Sequence, residues 1–218
     1  MSRRTSLFAL LASLTLIPTS ANALSDAEIQ AKLDTIKLPT GFAITLYAND
    51  VPQARSLAVG DKGTVFVSTR RDKHVYALTD TDGDSRADER HIVYTLGDEG
   101  DGKERTMPNG VAFREGDLYI ATVSTILRLD DIEDHLADPP KPVIVNDNFP
   151  TEAHHGWKFI AFGPDDKLYV PIGTPCNICE PENELHGTIT RINADGSGRE
   201  IVARGVRNSL GLDWHPET

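Results

Sequence analysis

The chain has 218 residues, of which 39% are hydrophobic, so it can bury a globular core. Its 33 acidic residues outnumber 22 basic ones, for a net charge of −11 spread along the sequence. This balance argues against nucleic acid as a partner and suits a periplasmic or secreted protein that acts on neutral solutes.

Residues 1–23 have the pattern of a secretory signal. Arg3 and Arg4 precede the apolar run LFALLASLTLIP, and the small-residue site ANA follows it. The apolar run is too short for a transmembrane helix. We therefore expect cleavage after Ala23, a periplasmic or secreted location, and no membrane span in the processed chain.

Residues 24–37 predict a short helical segment that leads into the main domain. In SDAEIQAKLDTI, Ser25 is placed to cap the helix, and Glu28 occupies the third helical position of a capping box. Residues 38–218 then contain only strand and turn patterns, so we assign them to one all-β domain.

That domain contains a sequence repeat. RSLAVGDKGTVFVSTR, NGVAFREGDLYIATV and WKFIAFGPDDKLYVPIG share an apolar tetrad, a turn and a second β-rich run. Leu57, Val111, Ile160 and Leu210 are equivalent in this scheme, at a spacing of roughly 50 residues. Such a period is typical of β-propeller blades, whereas the alternative, a β-sandwich, would lack it.

Further strands are expected between these repeats, in KHVYALTD, STILRLDD and GTITRINAD. The chain thus holds about three blades and the start of a fourth. Because a closed propeller needs roughly four to eight blades, we expect a fragment of a protein about twice as long, with the C-terminal blades missing.

Polar residues precede the repeated tetrad in successive blades. Asn109 precedes the second, His154 and His155 the third, and Arg207 and Asn208 the fourth. Loops at this position meet near the propeller axis, where an imidazole can act as a base and an arginine can bind an oxygen-rich anion.

Structural roles are the alternatives for these residues. The histidines would then satisfy loop carbonyls or pack on Trp157, and Arg207 would tie neighbouring blades through a carboxylate.

The segment DTDGDSRAD spaces four aspartates as in a calcium loop. An EF-hand is excluded because Ser85 and His91 stand where glycine and glutamate are needed, and the flanks are strand-like. A structural calcium or a solvated turn remains. The candidate ligands are Asp80, Asp82, Asp84 and Asp88.

The only two cysteines, Cys176 and Cys179, stand in C-x-x-C spacing. Export favours a local disulfide, with reduced thiols as the alternative. A zinc site lacks further ligands at suitable spacing, and Glu180 replaces the histidine of a c-type haem motif.

Several motifs together resemble the soluble quinoprotein sugar dehydrogenases, in particular the sorbosone dehydrogenase group. They are PTGFAITLYA, VPQARSLAVG, GTVFVSTR, PNGVAF, HHGWKFIAFGPDDKLYVPIG, PCNICEP, GTITRINADGSG and ARGVRNSLGLDWHPET, and the likeness runs from about Leu38 to the last residue.

The resemblance implies a six-bladed propeller that binds pyrroloquinoline quinone (PQQ) and Ca²⁺ and oxidises an aldose or sorbosone-like sugar. His155 matches the family's general base, and His154 a neighbouring pocket position. Arg207 and Asn208 match the residues that hold the quinone, with Asn109 in the corresponding earlier loop. The family's ligands for the cofactor calcium lie beyond Thr218, and the electron acceptor would be a cytochrome or another quinone.

Two other functions fit the same fold. A calcium-dependent propeller lactonase would present an inward acid at one of the blade entries, where Glu152 is the acid nearest the histidines. A binding propeller would have no catalytic role. No phosphate-binding loop, nucleophile elbow or H-E-x-x-H motif is present in the sequence.

Overall fold

The computed structural model describes residues 24–100 and 106–217. The predicted signal segment lies outside the described residues. The chain divides into two compact units, one ending at Ile44 and the other beginning at Thr45.

The first unit contains one helix, α1 (Asp26–Leu33). Ser25 is its N-cap, and the side chains of Ser25 and Glu28 each accept a hydrogen bond from the other's backbone N–H. This reciprocal pair satisfies two amides that a helix start leaves without partners. The predicted capping box is confirmed.

The second unit consists of three four-stranded antiparallel sheets, each with its strands in sequence order. Blade 1 contains β1 (Ala54–Val59), β2 (Val65–Thr69), β3 (His74–Thr79) and β4 (Glu89–Thr95); blade 2 contains β5 (Gly110–Arg114), β6 (Asp117–Ala121), β7 (Ile126–Leu129) and β8 (Val143–Asn146); blade 3 contains β9 (Ala161–Phe162), β10 (Leu168–Ile172), β11 (Thr188–Ile192) and β12 (Glu200–Arg204).

The first strands of the three blades lie next to one another, so the sheets radiate from a common axis. A groove of ≈ 270 Å³ runs between β1, β5 and β9, and Leu57 and Val59 line it with 63% and 64% of their surface exposed. This arrangement is a β-propeller, as the repeat predicts.

The core lies between the blades, and blade 2 contributes to it on both faces. Leu118 and Ile120 pack towards blade 1, whereas Tyr119 and Ala121 pack towards blade 3. Because side chains alternate across a strand, one strand supplies two separate cores. This explains why the second strands read as nearly continuous apolar runs.

A hydrogen-bonded tie joins blades 1 and 2 at the opposite end of the strands from the predicted site. The Glu133 carboxylate, on the 3₁₀ turn Ile132–Asp134, accepts hydrogen bonds from the backbone amides of Lys62 and Thr64 at 3.1 and 3.4 Å. A Cβ on Gly60 would lie 2.3 Å from this carboxylate, so glycine permits the approach.

The structure differs from the sequence prediction around Leu210. Residues 206–215 form no strand, although the repeat predicts the first strand of a fourth blade there. A first strand gains its hydrogen bonds from the second strand of its own blade, and no such strand follows within the described residues. Trp214 instead packs edge-on against Tyr169, with ring centroids 4.9 Å apart.

Candidate functional site

One end of the blades gathers most of the predicted site residues. Antiparallel pairing places the loop before each first strand beside the loop that joins the second and third strands. We call this end the site face. It includes the loop before β9, which contains His154 and His155, and the long β10–β11 loop.

His155 is held in a defined orientation at the site face. Its backbone is left-handed, with φ of 52°, which is uncommon for a residue other than glycine. Its Nδ1 lies 2.9 Å from the carbonyl oxygen of Thr174. Since a carbonyl only accepts, Nδ1 carries a hydrogen, so in the neutral form of the ring Nε2 is the acceptor.

Arg207 lies on the acceptor side of this imidazole. Its Nη1 is 3.5 Å from His155 Nε2 and donates a 3.0 Å hydrogen bond to Asn177 Oδ1. The Thr174 amide in turn donates to the Arg207 carbonyl at 2.9 Å. The β10–β11 loop therefore holds both the histidine and the arginine.

Gly173 allows Asn208 and His155 to approach the same point. A Cβ there would lie 2.4 Å from the His155 carbonyl oxygen, 2.6 Å from the His155 Cβ and 3.2 Å from Asn208 Oδ1. Only glycine fits this space. The exposed ring of His154 lies 4.0 Å from that of His155, centroid to centroid. The structure thus brings together His155, Arg207, Asn208 and His154.

Asn109 is buried between blades instead of lying in this group. Its Nδ2 donates to the Lys158 carbonyl at 3.0 Å, and its own carbonyl accepts from Ser68 Oγ. Its Oδ1 has no hydrogen-bond partner among the described residues. Asn109 therefore links all three blades.

Lys158 is a buried amine beneath the histidine loop, with 1% of its surface exposed. Its Nζ donates to the carbonyls of Gly156, at 3.0 Å, and Val123. Burial lowers the pKa of Lys158 to about 7; the charge of Glu152 opposes this shift, and that of Arg199 adds to it.

A third histidine, His186, contacts the backbone of the site at Gly173. His186 is 9% exposed, and its Nδ1 lies 2.8 Å from the Gly173 carbonyl oxygen. Its Nε2 lies 3.5 Å from Glu152 Oε2. Glu152, the acid that a lactonase site would need to turn inward, thus contacts His186.

An aromatic and cationic cluster lies two residues beyond His155. The Arg70 guanidinium stacks over the Trp157 ring at 3.8 Å from its centroid, and that of Arg55 lies 6.0 Å away. Arg70 follows β2 in blade 1, whereas Trp157 belongs to blade 3. A contact that spans blade 2 in this way places the cluster near the axis.

Cys176 and Cys179 are joined as a disulfide, with Cα atoms 6.0 Å apart. The pair closes a small loop that presents Asn177 to Arg207. Thr174 Oγ1 also donates to the Cys176 carbonyl at 2.8 Å. The disulfide loop is therefore part of the site's support.

The aspartate turn lies between β3 and β4, at the end of the blade opposite the site face. Carboxylate oxygens of Asp80, Asp82 and Asp88 lie within 4.8 Å of one another, and Asp84 is outside this group. Asp80 accepts from the amides of Gly83 and Ser85 at 2.7 and 2.8 Å, as in an ordinary polar turn. A calcium at this turn remains a prediction.

Four residues of the site were not singled out by sequence reasoning as functional. Asn177, His186, Lys158 and Arg70 reach it through loops or across blades. Only Lys158 carried a signal, as a charge within the apolar run WKFIAF.

The fold and the site together define a β-propeller with a histidine–arginine site on one face. No family model matches the chain. A relative described as an uncharacterized protein of Borreliella burgdorferi is 25% identical over 195 residues, covering 84% of this chain and 47% of that protein.

Two solved structures share the fold. The PQQ domain of a Coprinopsis cinerea pyranose dehydrogenase has a TM-score of 0.62 at 12% identity, covering 75% of this chain and 41% of that one. The PQQ-bound aldose sugar dehydrogenase of Streptomyces coelicolor has a TM-score of 0.58 at 20% identity, covering 79% and 56%. Identities this low establish the propeller fold alone.

The chain spans about half the length of these matched proteins. Within residues 24–100 and 106–217, no helix has the length and apolar character to cross a membrane.

Proposed function

We propose that the chain is part of an exported quinoprotein oxidoreductase that oxidises an aldose or a sorbosone-like sugar, with His155 as general base. The observation that carries this proposal is the orientation of His155. Nδ1 donates to the Thr174 carbonyl, so Nε2 is the acceptor and faces Arg207. The propeller fold, shared with PQQ-bound sugar dehydrogenases, supports it.

The donors present fit an anionic quinone. Arg207 is exposed, and only its Nη1 has a side-chain partner among the described residues. Asn208 beside it offers a donor and an acceptor. These two residues would hold a polar edge of PQQ, whereas Asn109, predicted to contact the cofactor, would instead support the histidine loop through the Lys158 carbonyl.

When bound, PQQ polarised by Ca²⁺ would accept the hydride from the sugar carbon. His155 Nε2 would take the proton of the sugar hydroxyl, leaving a carbonyl product and an imidazolium. The Thr174 carbonyl, which already accepts from Nδ1, would stabilise that charge. His154 would line the pocket on the exposed side.

The first test uses the protein purified without cofactor from its complete reading frame. It is titrated with PQQ and Ca²⁺ while an artificial dye reports sugar oxidation. We expect dye reduction only with both additions, and a loss of roughly 100-fold or more in His155→Ala with PQQ binding retained. His135→Ala, at an exposed histidine of blade 2, is the matched control.

Absence of PQQ binding would overturn the proposal. Lactone hydrolysis with Ca²⁺ alone would then support the lactonase, and inactivity in both assays the binding propeller. Export is also part of the proposal: it rests on the sequence of residues 1–23, which lie outside the described residues. Cell fractionation tests the location, and reduction of an added cytochrome or quinone tests the electron acceptor.

A further inference from the structure

The Trp157 cluster joins blades that are not neighbours. Trp157 lies in the loop before β9, whereas Arg55 begins the exposed face of β1, which continues through Leu57 and Val59 into the central groove. Arg70 stacks on the indole from the β2–β3 loop. The cluster therefore lies at the site-face end of β1, and its indole is two residues from His155 in the same loop.

The two arginines have no counter-ion among the described residues. No described carboxylate lies within ion-pair distance of Arg55 or Arg70, although the chain carries a net charge of −11. Arg70 Nε and Trp157 Nε1 are buried donors without an acceptor in the described residues. Unpaired buried donors are rare, because desolvation without a hydrogen bond is unfavourable.

We propose that Arg70 and Arg55, held on Trp157 beside His155, form a subsite for the carboxylate of an acidic sugar. A carboxylate offers two coplanar oxygens, which suit a guanidinium fork, and its charge would balance two cations that have no acidic partner among the described residues. The inference rests on the proposed function, and it narrows the substrate class from any aldose to a uronate.

A binding measurement tests the subsite without turnover. These 218 residues contain two tryptophans, so Trp214→Phe in this chain leaves Trp157 as its single indole reporter while keeping an aromatic ring against Tyr169. Glucuronate, glucose and glucose 6-phosphate are titrated without PQQ while tryptophan fluorescence is recorded. We expect saturable quenching or enhancement by glucuronate and none by glucose at the same concentrations.

Charge-removing variants locate the anion. Arg70→Gln should weaken glucuronate binding by roughly tenfold or more, since hydrogen bonds to charged groups are strong. Arg55→Gln, at an exposed side chain, should weaken it by a smaller factor without affecting folding. Arg71→Gln is the matched control, because the adjacent Arg71 is exposed and makes no contact with the indole.

Three results would overturn the inference: no response to glucuronate, an equal response to glucose, or tighter binding of the phosphate ester. A PQQ titration of Arg70→Gln distinguishes a role of the cluster in binding the cofactor from a role in binding the substrate. Lost PQQ affinity with unchanged glucuronate binding would assign the cluster to the cofactor. If PQQ does not bind the parent protein but glucuronate does, the dehydrogenase proposal fails while the anion subsite stands.

Discussion

Blade 2 and the histidine loop of blade 3 differ in how regular their backbone is and in how well their buried polar groups are paired. Leu118 and Ile120 are fully buried and hydrogen-bonded in regular strands. The loop instead holds His155 at positive φ, Lys158 almost fully buried, and Trp157 with a buried Nε1 that has no hydrogen-bond partner among the described residues. Strain and unpaired polar groups of this kind concentrate at functional sites. The packing of the blades therefore stabilises the fold enough to offset the unfavourable backbone and polar groups at the site face.

The largest effect should come from blade 2 itself. Leu118→Ala removes a side chain with 0% exposure from the first core, and we expect a loss of about 3 kcal/mol in the free energy of unfolding. Leu57→Ala, at a groove position with 63% exposure, should cost less than about 1 kcal/mol. Urea titration measures both, and equal losses would contradict the assignment of the core to the blade interfaces.

Gly173→Ala tests the opposite region. The new Cβ would overlap the His155 carbonyl and Cβ, so the loop must shift, at a cost of about 2 kcal/mol. Activity should fall by roughly 100-fold because the histidine moves away from Arg207. Gly63→Ala, at a positive-φ turn with open space around it, controls for a stability loss without a change at the site. Normal activity in Gly173→Ala would show that the contact does not position His155.

Lys158 links the site's burial to pH. Its pKa is about 7 in the fold against 10.5 in the unfolded chain, so the fold favours the neutral amine. Below pH 7 the penalty for the buried charge is fully present, and stability rises with pH between about 7 and 10.5. The slope should reach about 1 kcal/mol per pH unit.

Lys158→Met should remove this slope from the pH dependence of unfolding, measured by denaturant titration from pH 6 to 10. Lys141→Met, at an exposed lysine, should keep it. A parent protein whose stability is flat over this range would contradict a neutral Lys158.

The smallest effect is expected at the aspartate turn, remote from both regions. If the turn binds calcium, Asp82→Asn should weaken Ca²⁺ binding roughly tenfold and change the free energy of unfolding by less than about 1 kcal/mol. Calorimetric titration of the parent protein and the variant measures the first quantity. If both proteins give the same heats without saturation, the turn does not bind calcium and is a solvated turn.

The first three strands of each blade could be predicted from the sequence because their apolar runs repeat, and the second and third strands are largely buried on both faces. The fourth strands β4, β8 and β12 were not singled out, since many of their side chains are exposed or half-buried, as in Val143 and Val202. A strand that pairs along only one edge buries fewer side chains, so its apolar sequence pattern is weaker than that of a central strand.

The site could be predicted only in part. Site residues were predicted in the loops before the first strand of each blade, because the propeller topology places these loops together. The structure brings His155, Arg207 and Asn208 together there. The contacts of Asn177 with Arg207 and of Arg70 with Trp157 were not predicted. They join loops about 30 or more residues apart whose paths follow no periodic pattern.

The cores between blades also determine how the chain can acquire its structure. Each of the two apolar clusters in the described residues joins one blade to the next, so its contacts do not reach beyond the adjacent blade. Each blade can therefore dock as soon as its successor is available, without waiting for distant sequence. The order of folding would then follow the order of the chain, one interface at a time, and the site face would be assembled only after two such dockings.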